Sequence, residues 1–219
     1  GTRALSDIPE WAGRLGKAVI AGIQKAGVFP VGKHFPGHGD TDRDSHLELP
    51  YVDRDTKSLE KIELEPFAQT ISHGLKVIMT AHVVYSAWDD KLPATFSPTI
   101  LKNILREKLG FDGLIITDDL EMKAVEKHIS FDEIPRLGSA AGVDLYMICH
   151  DRKKTLLLQK QMIQDIDRGH IDIDLIKCSA QRIIELKKQI LISSCRKENL
   201  VKLAKDHINL IREMKSHLP

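Results

Sequence analysis

Leu114-Ile115-Ile116-Thr117-Asp118-Asp119 decides how the rest of the chain is read. Four residues suited to a buried strand run straight into two carboxylates, with no polar alternation to mark a wet face. Strands of this kind are covered on both sides, as in parallel sheets. Val77-Ile78-Met79-Thr80-Ala81-His82 and Asp144-Leu145-Tyr146-Met147-Ile148-Cys149 repeat the pattern, and Val28–Val31 is a shorter apolar run before Lys33-His34. Helical periodicity fills the intervals. One helix is predicted over about Pro9–Ala26, with Trp11, Leu15, Ala18, Val19 and Ile23 at helical spacing and Gly27 as its stop. A second is predicted over Ser58–Ser72, and a third opens at Ser97-Pro98 and ends at Gly110. Residues 35–57 read as loop. Helices near 132–141, 152–168 and 173–190 and a Lys-rich helical tail complete the series.

Strand and helix in alternation predict an α/β fold of parallel βα units. Polar groups gather just past the apolar part of each strand: Lys33-His34, His82, Asp118-Asp119 and His150. In a (β/α)8 barrel that rim carries the active site, and in an open doubly wound sheet it carries the ligand. A closed barrel needs eight strands and about 250 residues, whereas four strands are evident here. The chain therefore reads as the second half of a (β/α)8 TIM-type barrel over residues 1–190, followed by a helical tail over 191–219. An upstream barrel half or a second copy of the chain is expected to cover the open edge.

Composition narrows the function. Among 219 residues, 32 Lys plus Arg nearly balance 31 Asp plus Glu, and only 5% are aromatic, so no nucleic-acid surface is indicated. No run is long enough for a membrane span. Three cysteines without CxxC spacing (Cys149, Cys178, Cys195) point to a reducing compartment, with buried or idle thiols.

The densest chemistry is in Lys33–His46, KHFPGHGDTDRDSH, with three histidines, three aspartates, one Lys and one Arg in fourteen residues. Its glycines and proline predict a tightly bent loop. His34, His38, Asp40 and His46 are capable zinc ligands. The spacing is HxxxHxD, however, and His34 and His38 would face each other only on a helix, which Pro36, Gly37 and Gly39 forbid. No metal site is expected. Asp44 and His46, two apart, point the same way in extended backbone. A carboxylate beside an imidazole makes a group able to give and take a proton near neutral pH. The competing reading is an exposed loop histidine bonded to its neighbour. Asp118 stands at a strand end, where a carboxylate is bonded or functional; capping of the following helix is the alternative, and Asp119 could serve that end as well.

The blocks KHFPGHGDT (Lys33–Thr41), Asp44-Ser45-His46, Met79-Thr80-Ala81-His82, Phe111-Asp112-Gly113, Thr117–Met122 (TDDLEM) and Ala141-Gly142-Val143-Asp144 together resemble the glycoside hydrolase family 3 β-N-acetylglucosaminidases. The resemblance implies that Asp118 is the nucleophile of a retaining mechanism and His46, oriented by Asp44, its acid/base. It implies that Lys33, His34, Arg3, His82 and Met122 meet the sugar, although Leu5-Ser6 stands where the family has Phe-Gly beside that arginine. It further implies a carbohydrate substrate such as a peptidoglycan fragment, no cofactor, and a bacterial cytoplasmic setting. A His–Asp dyad repels an incoming anion less than a carboxylate would, so phosphorolysis is an alternative to hydrolysis. A non-catalytic half-barrel that binds a sugar or a partner chain is another, and a metal-dependent hydrolase a third.

Overall fold

The computed structural model describes residues 4–39, 49–189 and 200–216. Helix α1 spans Pro9–Lys25, with proline in its first turn, where its missing N–H costs no hydrogen bond, and Gly27 leaving it at φ 77°. The periodicity is as expected, but the buried face is different. Gly13 and Ile20 are buried, while Trp11, Leu15 and Val19 stay 47%, 43% and 48% exposed. Close approach explains this. A Cβ on Gly13 would come within 2.7 Å of the Gln69 side chain, and one on Gly16 within 3.0 Å of Thr70 Cγ2. Gln69 and Thr70 belong to the helix Glu65–Ile71, which meets α1 where α1 has least side chain.

Strand β1 is Val31–Phe35 and β2 is Tyr51–Val52. Lys33 and His34 thus lie inside the first strand, not beyond it. Pro30 has no N–H to place in a ladder, and pairing starts only at Val31. Helical backbone then runs through Thr56–Leu59 (α2), a π-wound turn at Glu60–Leu64, and Glu65–Ile71 (α3). Asp55 caps its start, accepting the Ser58 N–H at 3.1 Å.

Strands β3 (Val77–Thr80) and β4 (Val84–Tyr85) follow, then a π-wound helix over Thr99–Lys108. Ser97 opens that helix as the sequence predicts, its Oγ accepting the Ile100 N–H at 3.2 Å. Next come β5 (Leu114–Asp119), α4 (Lys123–Glu126), α5 (Ile134–Ala141) and β6 (Leu145–Met147). Helices α6 (Arg152–Asp167), α7 (Ile173–Lys188) and α8 (Leu200–Ser216) close the order. Among the described residues, no helix is long and apolar enough to cross a membrane.

The main sheet has the order β1-β3-β5-β6 and is parallel throughout, matching the predicted α/β class and its four strands. Ile78 and Ile115 are fully buried at its centre, with Phe35, Leu105 and Phe111 packed around them. A second, two-stranded parallel sheet joins β2 to β4. Two-residue strands show no period, so this sheet is invisible in the sequence. Its β4 begins four residues past the end of β3.

The opposite end is locked by one carboxylate. Asp144, with a fully buried side chain, accepts from Arg106 Nη2 (2.8 Å) and the Ile115 N–H (2.9 Å) through Oδ2. Through Oδ1 it accepts from Ser179 Oγ (2.8 Å) and Arg182 Nη1 (2.8 Å). It thereby ties the Thr99–Lys108 helix, β5 and α7 together.

Candidate active site

The strand directions bring β1, β3 and β5 to one rim. Asp118, the fifth residue of β5, keeps its side chain 20% exposed there. Its Oδ2 lies 3.3 Å from His34 Nε2 on β1 and its Oδ1 accepts the N–H of Asp119 at 2.8 Å. Both oxygens are oriented, yet the group remains open. Such a carboxylate is prepared to meet an incoming electrophile.

His34 also packs against His38, their ring centroids 5.7 Å apart. The expectation that only a helix could bring these two rings together was wrong: the turn through Phe35-Pro36-Gly37 does it without one. Phe35 is fully buried and anchors that turn from below. The fully buried Tyr85 donates its hydroxyl to the Gly37 carbonyl from β4, and a Cβ at Gly37 would run into the Glu63 carboxylate. Burial, and then the Glu63 charge, push the Tyr85 phenol well above its ordinary pKa and keep it a donor.

Lys33 is exposed on β1. Met122 is half-buried, and its N–H is donated to the Asp119 carbonyl at 3.1 Å, closing the turn after β5. His82, expected as a sugar contact, is 1% exposed, with both ring nitrogens bonded inside the protein. Arg3, Asp44 and His46 lie outside the described residues, as do Asp40, Asp42 and Cys195. The flanks of residues 40–48 are nonetheless fixed: Gly37 by Tyr85, and Leu49 in an apolar cluster with Val84 and Ala124, two residues past Met122.

A further donor group was missed by the sequence reading. Asp119, Glu121 and His150 offer ligand atoms within 4.8 Å of one another and could hold a metal ion. They come from two strand ends some thirty residues apart, so no local spacing marks them. Both carboxylates have structural partners. Glu121 accepts the backbone N–H of His150 (2.6 Å) and of Asp151 (3.2 Å), securing the start of α6. Burial raises its pKa, but these hydrogen bonds outweigh it and leave the group below its ordinary value. Asp119 Oδ1 accepts from the Glu121 and Cys149 N–H groups at 3.1 and 3.3 Å. Cys149 and Cys178 are free and exposed, not buried.

The sequence pattern of the Glycosyl hydrolase family 3 N terminal domain matches residues 1–186. The chain belongs to glycoside hydrolase family 3. Over 154 residues it is 44% identical to the beta-hexosaminidase of Haemophilus influenzae, covering 70% of this chain and 44% of that one. The beta-hexosaminidase of Hydrogenovibrio crunogenus is 41% identical over 154 residues, covering 69% of this chain and 42% of its own. Among solved structures, a glycoside hydrolase family 3 beta-N-acetylglucosaminidase from Paenibacillus sp. superposes with a TM-score of 0.80 at 36% identity. It covers 85% of this chain and 37% of that chain. The beta-N-acetylglucosaminidase from Thermotoga maritima gives 0.76 at 34% identity, over 85% and 40% of the two chains. This family 3 chain thus spans less than half the length of these relatives, and its parallel α/β layout is that of the family's TIM-barrel-type domain.

Proposed function

We propose that this family 3 chain carries the nucleophile of a retaining exo-β-N-acetylglucosaminidase. The observation that carries the reading is Asp118: a rim carboxylate with both oxygens oriented, by His34 and by the Asp119 amide, and still a fifth exposed. The names of its relatives supply the substrate class.

In the proposed reaction a carboxylate oxygen of Asp118 attacks the anomeric carbon while His46, oriented by Asp44, gives its proton to the departing glycosidic oxygen. The glycosyl–Asp118 ester is then opened by water, whose proton returns to His46. Lys33, His34, Met122 and Arg3 are proposed to hold the sugar. The natural substrate is proposed to be a peptidoglycan fragment ending in N-acetylglucosamine, met in a bacterial cytoplasm.

Turnover of an aryl β-N-acetylglucosaminide tests this. Asp118→Ala should abolish it, while a 2-fluoro sugar bearing a good leaving group should label Asp118 in the wild-type protein. Wild-type turnover by the alanine variant would reject the assignment.

A further inference from the structure

A histidine is an unusual thing to bury at the foot of a reactive carboxylate, and its partners define what it does. His82 Nε2 lies 3.2 Å from the Asp119 carbonyl oxygen, which can only accept, so Nε2 carries a hydrogen. On the other side, Nδ1 is 2.8 Å from Thr95 Oγ1, and Thr95 Oγ1 is in turn 2.8 Å from Thr80 Oγ1. Both threonines are fully buried. Among the described residues no buried side-chain nitrogen or oxygen is left without a partner, so this chain of donors is closed.

Burial favours the uncharged ring and lowers its pKa, against the opposing Asp118 charge. In a neutral ring with Nε2–H, Nδ1 is bare and takes the Thr95 hydrogen, and Thr80 then donates to Thr95. Were the ring charged, Nδ1–H would donate to Thr95, which would turn its hydrogen to the Ala81 carbonyl at 3.0 Å. Nε2 points a hydrogen at Asp119 in either state.

The Asp119 peptide units are the ones that matter for Asp118. The N–H of Asp119 holds Asp118 Oδ1 at 2.8 Å, and its carbonyl accepts both His82 and the N–H of Met122. One residue therefore joins the nucleophile to the turn that presents Met122, and His82, two residues past β3, is its side-chain anchor. We propose that His82, held as the Nε2–H tautomer by the Asp119 carbonyl with its Nδ1 met by the Thr80–Thr95 hydroxyl pair, is a positioning residue that fixes the Asp119 turn and so aims the Asp118 carboxylate. This rests on the glycosidase reading above.

Misplacing a reacting group by about an ångström costs on the order of 10- to 100-fold in rate. His82→Phe fills the same space without nitrogens. In the protein with its natural termini it should lower kcat on an aryl β-N-acetylglucosaminide by that order, with KM nearly unchanged. The loss should be similar for good and poor leaving groups, since the acid/base is untouched. His82→Gln should restore much of it, because an amide can donate to Asp119 and accept from Thr95. Thr95→Val should lower kcat in the wild type but add little to His82→Phe. Nitrogen-15 NMR of the wild-type imidazole should show Nε2–H with Nδ1 bare near neutral pH, a reading that needs neither folding of a variant nor activity.

Wild-type kcat in folded His82→Phe, a rise in KM alone, or an Nδ1–H tautomer would each overturn the proposal. No turnover by the wild-type protein would instead sink the glycosidase reading, and the kinetic role with it.

Discussion

Replacing Asp144 by alanine removes a carboxylate with no exposed surface and four donors around it. The Arg106 guanidinium, 16% exposed, loses its ion pair with Asp144, and burial already pulls its pKa below the ordinary value against the opposing charge of Asp144. The Ile115 N–H loses its acceptor inside the sheet, and the Ser179 hydroxyl loses one at its edge. Breaking a buried pair by deleting one partner costs about 3–5 kcal/mol, chiefly through the charge left behind. Arg182 is 35% exposed and keeps much of its hydration, so its share is small. The expected loss is therefore near the lower bound, about 3 kcal/mol, which is a large part of the roughly 5–15 kcal/mol that holds a typical domain together.

Urea denaturation reads this as a fall in midpoint at constant slope. Arg106→Met in the Asp144→Ala background should recover part of the loss, because the orphaned cation is gone. Asp144 pairs at the start of β5, three residues before Asp118, so the folded fraction of the variant should keep its kcat. A loss below about 1 kcal/mol, or equal destabilisation by Arg106→Met in both backgrounds, would refute the view that buried charge balance governs this end.

Three further outcomes are expected. Because the folded pKa of His82 is lowered, the unfolded chain takes up that proton first as pH falls. The stability from keeping the ring neutral is full above about pH 6.5 and is lost below it toward the folded pKa, by up to about 1.4 kcal/mol per pH unit. Denaturation of wild type and His82→Gln between pH 7.5 and 5 should show the shallower slope in the variant, and equal slopes would contradict this. Tyr85→Phe leaves the Gly37 carbonyl without its phenol, at about 1 kcal/mol of stability, and should weaken turnover by loosening one flank of residues 40–48. Gly113→Ala drives a Cβ into the Lys76 carbonyl next to the β3–β5 ladder and should lower stability by about 1–3 kcal/mol, read as a drop in Tm.

The class of fold was legible because buried parallel strands are apolar runs, and three of the four were read close to their observed bounds. The fourth, β1, was misplaced: Lys33 and His34 broke an apolar pattern that the backbone continues through. Period alone did not reveal the packed face of α1, since glycines that allow two helices to touch carry no hydrophobic signal. Asp118 and His34 were legible as separate candidates, but their 3.3 Å contact was not, because it joins strands more than eighty residues apart. The same holds for the Asp119, Glu121 and His150 group. His82 was recognised as notable, but its bonds to Asp119 and Thr95 were not legible, because a strand-end histidine reads alike whether it faces the ligand or the peptide beneath it.

The blocks that mark the family do two kinds of work, and the sheet separates them by end. Phe111-Asp112-Gly113 and Ala141-Gly142-Val143-Asp144 lie where β5 and β6 begin. Phe111 is buried under Arg106, Gly113 admits the Lys76 carbonyl, Gly142 ends α5 at φ 91°, and Asp144 gathers two arginines. Each is explained by packing or backbone conformation, with no ligand needed. His34, His82, Asp118 and Met122 lie where strands end, and packing alone does not account for an oriented carboxylate left a fifth exposed. A chain could therefore keep the first set, match the family along its length and fold as this one does, while lacking the chemistry. Overall likeness argues for the barrel wall; the case for a glycosidase rests on Asp118, and an alanine there separates the two, since it should silence turnover and leave the unfolding free energy within about 0.5 kcal/mol of wild type, as expected for a partly exposed side chain outside the core.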